Sequence, residues 1–405
     1  MKSKRSIMLN LAAISAALAG GCCSAAIEVK DSGTQFAAEA VKPYIESGEL
    51  PGVISIFCHG DMQETVCMGW ANVEEKRPVT LDSMFMQCSQ TKGFCGVTIA
   101  ILVEEGKISL DDPVSKYLPE FKELKVYSKD QDGKQIVVPA KNELTIRMVM
   151  NHTGGFPFEI PSKHKKGWPG VSLRETAKEA ASIPLQFEPG TKALYSNTGI
   201  DIGAAVIEVV TGKGWDEFIK ERVFDPLGMK DSTFNPTDEQ LARSMSIYEV
   251  KKGQKAEFRS HSSWMPLPHN GPNVYPSAGA GLWTTARDQV KFYRMLMNLG
   301  MGDNGVRILK EETVLNLLAT NSRPAGLGNY SLGLNADKEK GVMGHGGAWG
   351  TNCAVNWKKK QLELKVVQLW GNPRPWDKAL WDAASKFFKE TMDKADIEAY
   401  TGRLQ

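Results

Sequence analysis

The sequence predicts an α+β fold in which strands from both chain ends form one sheet around a largely helical middle. Runs 53–58 and 64–73 have strand composition and are joined by a short turn. Strand-like runs return near the other end of the chain, at 330–335, 341–344, 352–357 and 362–369. Between about 110 and 320 the apolar spacing is mostly helical. We therefore expect two distant parts of the chain to meet in one sheet.

Three helices are expected around this sheet. The segment 94–105 predicts a helix buried on all sides, because its apolar residues point in every direction. A helix over 36–47 ends at Gly48. A closing helix over 377–394 has one apolar face, formed by Leu380, Ala384, Phe387, Phe388 and Met392. A chain of 405 residues is long for one simple core, so we expect one large domain or two interleaved lobes.

The first 26 residues have the layout of a secretory signal peptide. Lys2, Lys4 and Arg5 precede an uncharged run of apolar and small residues over 7–21, and small residues follow at 24–26. The run is shorter than the roughly 20 apolar residues that a membrane span needs. We therefore expect an exported protein, either periplasmic or secreted.

Two ways of processing this segment stay open. The small residues at 24–26 suit ordinary cleavage, whereas Gly20-Gly21-Cys22 resembles a lipoprotein cleavage box whose usual leucine lies one place early, at Leu18. Lipidation of Cys22 would attach the protein to a membrane, and one acyl chain alone binds membranes only marginally. The sequence carries no signature of the oligomeric state.

Charge and cysteine content exclude several function classes. Loss of the three N-terminal cations lowers the formal net charge from +2 to −1, and a near-neutral chain gives no sign of nucleic-acid binding. Cys58 and Cys67 lie on two successive predicted strands, which leaves a disulfide between them open, whereas Cys88 and Cys95 suit buried free thiols. No Cys-x-x-Cys pair and no metal-binding histidine spacing occur, so we expect neither a metal nor another cofactor.

The clearest chemical motif is Ser89-Gln90-Thr91-Lys92, at the start of the predicted buried helix. A serine hydroxyl is a weak nucleophile and needs a neighbouring base. Residues three apart on a helix share a face, so the Lys92 amine reaches the Ser89 oxygen. Burial lowers the pKa of a lysine, and a neutral amine accepts the serine proton. Ser89 is therefore the predicted nucleophile and Lys92 its base.

A second copy of the same pattern tests this interpretation. Ser162-Lys163-His164-Lys165 also fits Ser-x-x-Lys. That copy lies among polar, glycine and proline residues, and nothing near it in sequence would desolvate the lysine. We interpret it as accidental, because the chemistry needs the buried helix and not only the spacing.

Two further segments are candidates for the same site. Tyr195-Ser196-Asn197 offers a phenol that can exist as a phenolate beside a lysine ammonium and shuttle protons, and an amide for Lys92 and a substrate carbonyl. Gly344-His345-Gly346-Gly347 predicts a strand that a ligand approaches closely, and its His345 would supply a positive or a hydrogen-bonding group. Each segment alone also suits a plain turn or a glycine-rich hairpin.

Taken together and in this order, Ser89-x-x-Lys92, Tyr195-x-Asn197 and His345-Gly346-Gly347 resemble the penicillin-recognising serine hydrolases. The resemblance is greatest to class C β-lactamases, D-alanyl-D-alanine carboxypeptidases and related esterases. Segments 102–121, 144–157 and 279–292 read like segments of the family, and the likeness spans about residues 30 to 395.

The resemblance implies an antiparallel sheet flanked by helices, with a mainly helical lobe inserted and the site between the two. Residues 27–405 would form one domain, with an α/β lobe over about 27–85 and 320–405 and a helical lobe over about 86–319. In its terms, Ser89 attacks a carbonyl carbon while Lys92 and Tyr195 move the proton. Substrate binding would fall to Asn197, His345, Gly346, Gly347 and Ala348, with the backbone N–H groups of Ser89 and Ala348 around the oxyanion.

One departure from the family bears on the substrate. True β-lactamases carry Lys-Thr/Ser-Gly where this chain has His345-Gly346-Gly347, so the lysine and hydroxyl that bind the β-lactam carboxylate are missing. We therefore expect a serine hydrolase that cleaves an ester, amide or lactam in a small-molecule or peptide substrate, and most closely an esterase or peptidase. The alternatives are a D-alanyl-D-alanine carboxypeptidase or class C-like β-lactamase, and a non-catalytic member of the fold that binds or senses a ligand.

Overall fold

The computed structural model describes residues 29–160, 172–251, 254–260, 275–372, 374–395 and 397. The predicted signal peptide, including Cys22, and the second Ser-x-x-Lys copy at Ser162 lie outside the described residues. Within the described ranges, no helix is both long and apolar enough to cross a membrane.

Most of the strands lie near the two ends of the chain, and most of the helices lie in its middle. The strands are β1 (Lys30–Asp31), β2 (Gly52–His59), β3 (Met62–Asn72), β4 (Arg77–Pro78), β5 (Met84–Met86), β6 (Lys125–Lys129), β7 (Gln135–Pro139), β8 (Ile247–Glu249), β9 (Glu257–Ser260), β10 (Trp283–Thr285), β11 (Asn335–Asp337), β12 (Val342–Gly346), β13 (Asn352–Asn356), β14 (Gln361–Val366) and β15 (Leu369–Trp370). The helices are α1 (Phe36–Ser47), α2 (Thr91–Glu104), α3 (Ile146–Met150), α4 (Leu173–Ala181), α5 (Asn197–Thr211), α6 (Trp215–Ile219), α7 (Asp225–Leu227), α8 (Asp238–Ala242), α9 (Ala286–Met297), α10 (Glu311–Thr313) and α11 (Pro375–Glu390).

The main sheet joins the two chain ends, as the sequence predicts. Its order is β1-β3-β2-β14-β13-β12-β11, with β4 added beside β3. The link between the ends is the antiparallel pair of β2 and β14, in which Cys58 lies opposite Leu362. The short β1 is the exception to the antiparallel pattern, because it runs parallel to β3. The predicted α+β fold is confirmed.

Both faces of the sheet are covered, which explains why β2 is buried along its whole length. Alternate residues of a strand point to opposite faces. Val53 and Phe57 pack with α1 and α11 in one apolar cluster. Ile54 and Ile56 pack on the other side with the buried helix α2 in the larger core. The sheet is therefore the platform on which α2, the helix of the predicted nucleophile, is fixed.

Three details of the predicted elements are wrong. The run 330–335 is not a strand until Asn335; before that it crosses α2 so closely that a Cβ on Gly96 would lie 1.8 Å from the Leu332 backbone oxygen. The hairpin of β6 and β7 interrupts the middle that was predicted as helices and loops. Met392, predicted on the apolar face of the closing helix, is 63% exposed, since α11 ends at Glu390.

A disulfide between Cys58 and Cys67 is also ruled out by the register of β2 and β3. Cys58 lies opposite Gln63, and Cys67 lies opposite Ile54. Cys58 is buried and Cys67 is exposed, and both thiols are free. Cys88 and Cys95 are buried free thiols, as predicted.

Candidate active site

Ser89 and Lys92 lie side by side at the start of α2. Ser89 is in the 3-10 turn Cys88–Gln90, and Lys92 follows on the first turn of the helix. The Lys92 Nζ atom is 3.2 Å from the Ser89 Oγ atom. Lys92 has no exposed surface, because the residues around it in α2 are buried as well. The spacing and the apolar helix thus place the two groups as the sequence predicts.

Two carbonyl oxygens hold the other side of the Lys92 amine. Nζ donates to the side-chain oxygen of Asn197 and to the backbone oxygen of Gly279, each at 2.6 Å. A neutral amine has two N–H bonds and one lone pair, and these two contacts use both N–H bonds. The lone pair is then directed at the Ser89 hydroxyl, which donates to Nζ in this state.

The environment of Lys92 favours the neutral amine. Burial lowers the pKa of Lys92 from 10.5 to about 7, against the smaller opposing effects of Asp201, Cys88 and Glu159. About half of the Lys92 side chains are therefore neutral near pH 7. A base with a pKa near the working pH is the most effective one for proton transfer.

Tyr195 completes the group around the Ser89 oxygen. Its ring centroid is 4.5 Å from the Lys92 Nζ atom, and Ser89 lies close enough to lower the pKa of its hydroxyl slightly. Burial raises the pKa of Tyr195 to about 12. The phenolate expected from the sequence is therefore wrong for the resting protein. The phenol is therefore protonated in the resting protein, beside the Ser89 hydroxyl that donates to Lys92.

The start of α5 fixes Tyr195 and Asn197 relative to each other. Ser196 is the helix cap, and its hydroxyl accepts from the Gly199 N–H at 3.0 Å. Asn197 is the first residue of the helix, so its side chain turns back towards Lys92. His152 supports the same corner from outside: its Nδ1 atom accepts from the Ser196 N–H at 3.3 Å, and its ring lies 4.4 Å from that of Tyr195.

The end of β12 packs directly against the turn before Ser89. A Cβ on Gly347 would lie 2.2 Å from the backbone oxygen of Gln87, so only glycine allows this approach. Gly346 and Gly347 are half-buried, as is Ala348 after them. The strand thus brings the third predicted motif beside the nucleophile.

Strained residues flank both predicted oxyanion donors. Cys88, before Ser89, has φ 53°, and Trp349, after Ala348, has φ 61°. Left-handed backbone at non-glycine residues costs on the order of 1–3 kcal/mol and persists only where packing enforces it. Cys88 and Trp349 belong to one buried cluster with Met84, Met86, Ile247, Ala280 and Trp283. A single apolar cluster therefore holds both backbone segments.

His345 is part of this site as a neutral group. Its Nδ1 atom is 2.5 Å from the Gly346 backbone oxygen, so Nδ1 carries the proton. Its Nε2 atom, 2.9 Å from the Tyr330 hydroxyl, is left as an acceptor. Burial, followed by the nearby Lys92 charge, lowers the pKa of His345 to about 3. Of the two roles that the sequence left open, the hydrogen-bonding one fits and the positive one is wrong.

Sequence reasoning missed three residues of the site. Gly279 holds Lys92 through its carbonyl, His152 supports Tyr195, and Asp201 is a buried carboxylate on α5. Asp201 had a usable signal: it is an acid four residues after Asn197, on the same face of an otherwise apolar helix. Gly279 had none, because only the folded loop brings it near.

Comparison with known proteins agrees with this geometry. The family model described as Beta-lactamase matches residues 37–369, which is most of the chain. The chain belongs to the beta-lactamase family. Members of this fold are serine hydrolases, and so is this protein. The resemblance drawn from its three motifs is confirmed.

The individual relatives have low sequence identity to this chain but match most of its length. A Salmonella typhimurium protein named "Putative D-alanyl-D-alanine carboxypeptidase" is 28% identical over 301 residues, which covers 68% of this chain and 67% of that protein. The solved structure of EstCE1, a hydrolase with promiscuous acyltransferase activity, is 21% identical, with a TM-score of 0.70 over 86% of this chain and 97% of that chain. A class C beta lactamase from Rhodobacter sphaeroides is 18% identical, with a TM-score of 0.64 over 88% of this chain and 100% of that chain. These structures share the fold.

Proposed function

We propose that this serine hydrolase cleaves small carboxylic esters without a negative charge, through an acyl intermediate on Ser89. One observation carries the proposal: a fully buried lysine amine, with a pKa near 7, lies 3.2 Å from the Ser89 hydroxyl. A lysine placed in this way serves as a general base at neutral pH.

The acylation step follows from the three contacts of Lys92. The Ser89 oxygen attacks the ester carbonyl carbon, and its proton passes to the Lys92 lone pair. The resulting ammonium keeps its contacts to Asn197 and Gly279, so it forms without any movement of these oxygens. The carbonyl oxygen becomes an oxyanion, for which we propose the backbone N–H groups of Ser89 and Ala348 as donors.

Collapse of the tetrahedral intermediate needs a proton on the leaving alcohol. We propose that the Tyr195 hydroxyl delivers it and is reprotonated by the adjacent Lys92 ammonium, which returns to the neutral amine. Tyr195 suits this role because it lies beside both Ser89 and the Lys92 amine. In deacylation a water molecule takes the place of the alcohol, the same groups remove its proton, and the acid is released as Ser89 regains its hydrogen.

We propose an uncharged substrate because of the third motif, His345-Gly346-Gly347. His345 is neutral and its Nε2 atom is occupied by Tyr330, so it offers no cation to a substrate carboxylate. We assign Asn197, Gly346 and Gly347 to binding the neutral acyl group. Cleavage of a D-alanyl peptide, as the name of the Salmonella relative indicates for that protein, is the alternative.

We also propose export and a two-lobed division of the chain. Residues 1–26 would be removed as a signal peptide, with lipidation of Cys22 as the variant that attaches the enzyme to a membrane. The domain over residues 27–405 would comprise the α/β lobe of about 27–85 and 320–405 and the helical lobe of about 86–319. The close approach of Gly347, after β12, to the backbone of Gln87, just before Ser89, supports a site between the two lobes.

Labelling with a fluorophosphonate and a fluorescent penicillin tests the proposal. We expect the fluorophosphonate to label the protein at Ser89, and Ser89→Ala to abolish the labelling. Ser162→Ala, in the second Ser-x-x-Lys copy, is the matched control and keeps full labelling. Mass spectrometry of the labelled peptide identifies the residue.

The outcomes separate the candidate functions. Labelling by the fluorophosphonate alone supports the esterase. Labelling by both probes supports cleavage of cell-wall peptides or β-lactams instead. If folded protein takes up neither probe, the chain is a binding member of the fold and the proposal is wrong.

A further inference from the structure

Asp201 is a buried carboxylate whose purpose the acylation chemistry does not by itself explain. It lies on α5, one turn after Asn197, and is 7% exposed. Its oxygens accept from the Gly279 N–H at 2.9 Å and from the Tyr275 hydroxyl at 2.9 Å. The Ser277 hydroxyl donates to it as well, at 3.2 Å. A buried charge with this many donors organises the segment that supplies them.

The segment that Asp201 holds is the one that touches Lys92. The Gly279 N–H bonds to Asp201, and the Gly279 carbonyl accepts from the Lys92 Nζ atom at 2.6 Å. A side chain at position 279 would collide with Asn197, since a Cβ there would lie 2.7 Å from the Asn197 Cβ atom. The single peptide unit around Gly279 therefore links the buried anion to the buried amine.

Asp201 and Lys92 are linked through the Gly279 peptide and not by a direct contact, and this affects the charge of the amine. Among the ion pairs of the described residues, none joins Asp201 to Lys92. A direct ion pair would hold Lys92 as an ammonium and remove its lone pair. With Gly279 between them, the anion orients the amine and still leaves it free to lose its proton.

We propose that Asp201 is a positioning residue for acylation: through the peptide of Gly279 it holds the Lys92 amine in line with Ser89, and its negative charge stabilises the ammonium that forms there. The inference rests on the proposed role of Lys92 as the base. It adds a fourth side chain to the machinery, one that touches neither substrate nor nucleophile.

The pKa shifts of Asp201 and Lys92 show that the charge of each group stabilises the charge of the other. Burial raises the pKa of Asp201 to about 6, while the contacts with Gly279 and Tyr275 and the Lys92 charge lower it. Asp201 in turn is the largest influence that raises the pKa of Lys92 against burial. The other titratable groups that face this pair from the surrounding elements are Cys88, Cys95, His152, Glu159, Tyr195, Tyr275 and His345.

Asp201→Asn tests the proposal, because it keeps the shape and removes the charge. The amide oxygen still accepts from the Gly279 N–H, and the hydroxyls of Tyr275 and Ser277 can turn to accept from the amide nitrogen. Without the anion the ammonium is less stable, so the pKa of Lys92 falls. The rising limb of kcat/KM against pH, near pH 7 in the wild type, should move down by roughly one pH unit. We expect the plateau to fall about three- to tenfold with the weaker base.

Asp288→Asn is the matched control. Asp288 is another buried aspartate, on α9, where it accepts from the Asp231 N–H at 2.7 Å and the Ser232 hydroxyl at 3.3 Å. Its substitution should lower stability and leave the limb in place. A lowered plateau with an unmoved limb in Asp201→Asn would show a merely structural role and overturn the inference.

A second variant, Ser277→Ala, tests the proposal if Asp201→Asn does not fold. Ser277→Ala removes one donor to the carboxylate, which raises the pKa of Asp201 and weakens its charge near pH 6. The limb should then move in the same direction by a smaller step, and an unmoved limb again overturns the inference. Inactivity of Lys92→Met and Ser89→Ala is checked in parallel. If either variant stays fully active, the proposed function itself is wrong, whatever Asp201→Asn does.

Discussion

Two buried cations of this protein are held in opposite ways. Among the described residues, Lys92 contacts a hydroxyl, a side-chain amide and a backbone carbonyl, all of them neutral. Arg294, on α9, pairs with the carboxylate of Asp303 and donates to the backbone oxygen of Gly60. Their side chains are equally hidden, at 0% and 2% exposure.

The difference lies in what the partners do to the charge. The carboxylate of Asp303 offsets the free-energy cost of burying the Arg294 charge. The guanidinium therefore stays charged and fixes α9 to the neighbouring segments. Neutral oxygens give Lys92 good hydrogen bonds and little compensating charge, so burial lowers its pKa to about 7. Of these two cations, Arg294 therefore serves the structure and Lys92 serves proton transfer. Substitutions of Lys92 and Arg294 test this difference between the two cations.

The largest effect is expected for Lys92→Met. Methionine fills nearly the same volume without a base, so kcat/KM for a neutral ester should fall by roughly 10³-fold or more, at the upper part of the range for loss of a general base. Hydrolysis of a chromogenic acetate ester measures the fall. Retention of more than a tenth of the activity would contradict the role of the amine.

The same variant has a second readout in its stability. The unfolded lysine keeps its proton up to about pH 10.5, whereas the folded one loses it above about pH 7. The cost of burying the charge is therefore full below pH 7 and fades as the pH rises through this window. The free energy of unfolding of the wild type, relative to Lys92→Met, should rise with pH by about 1.4 kcal/mol per unit between pH 7 and 10. Urea unfolding at three pH values checks it, and a flat difference would show that Lys92 is charged in the folded state.

Arg294→Met tests the structural cation. It leaves Asp303 and the oxygen of Gly60 without their cationic partner, so we expect a loss of about 2–4 kcal/mol in the free energy of unfolding. The pH at which kcat/KM rises should stay where it is. Urea unfolding and the pH profile of the same sample give both numbers.

Its control is Arg294→Met combined with Asp303→Asn. Removal of both charges leaves no unpaired ion, so part of the lost stability should return. A moved pH limb in Arg294→Met would mean that this cation also sets the chemistry, and the division between the two cations would not hold.

Much of this site could be predicted because it depends on short-range geometry. Ser89 and Lys92 are neighbours by helical spacing alone, and the apolar sequence of 94–105 shows that the amine is buried. The shared sheet follows from a simpler fact, because strand-like runs at both chain ends need partners. The serine hydrolase family was reached from the three motifs, and the antiparallel sheet was what that resemblance implied.

The missed parts depend on contacts between distant segments. Gly279 lies 187 residues after Lys92, and Asp201, 78 residues before Gly279, accepts from its N–H. The run 330–335 looked like a strand because its apolar residues are buried, but Leu332 is buried against α2 and not in the sheet. The charge states of Tyr195 and His345 were also out of reach, because burial is a property of the whole fold.

The smallest effect is expected for His345→Asn. Because His345 is already neutral above about pH 3, its loss removes a hydrogen bond and no charge. The amide nitrogen of asparagine takes the place of Nδ1 towards the Gly346 oxygen, so kcat/KM for a neutral ester should fall less than about tenfold, with the limb near pH 7 unmoved. An ester that carries a carboxylate should be a poor substrate for both proteins at every pH. If the wild type instead hydrolyses it faster as the pH falls from 7 to 5, and His345→Asn loses that gain, His345 is a cation in the site, and the neutral substrate that we propose is wrong.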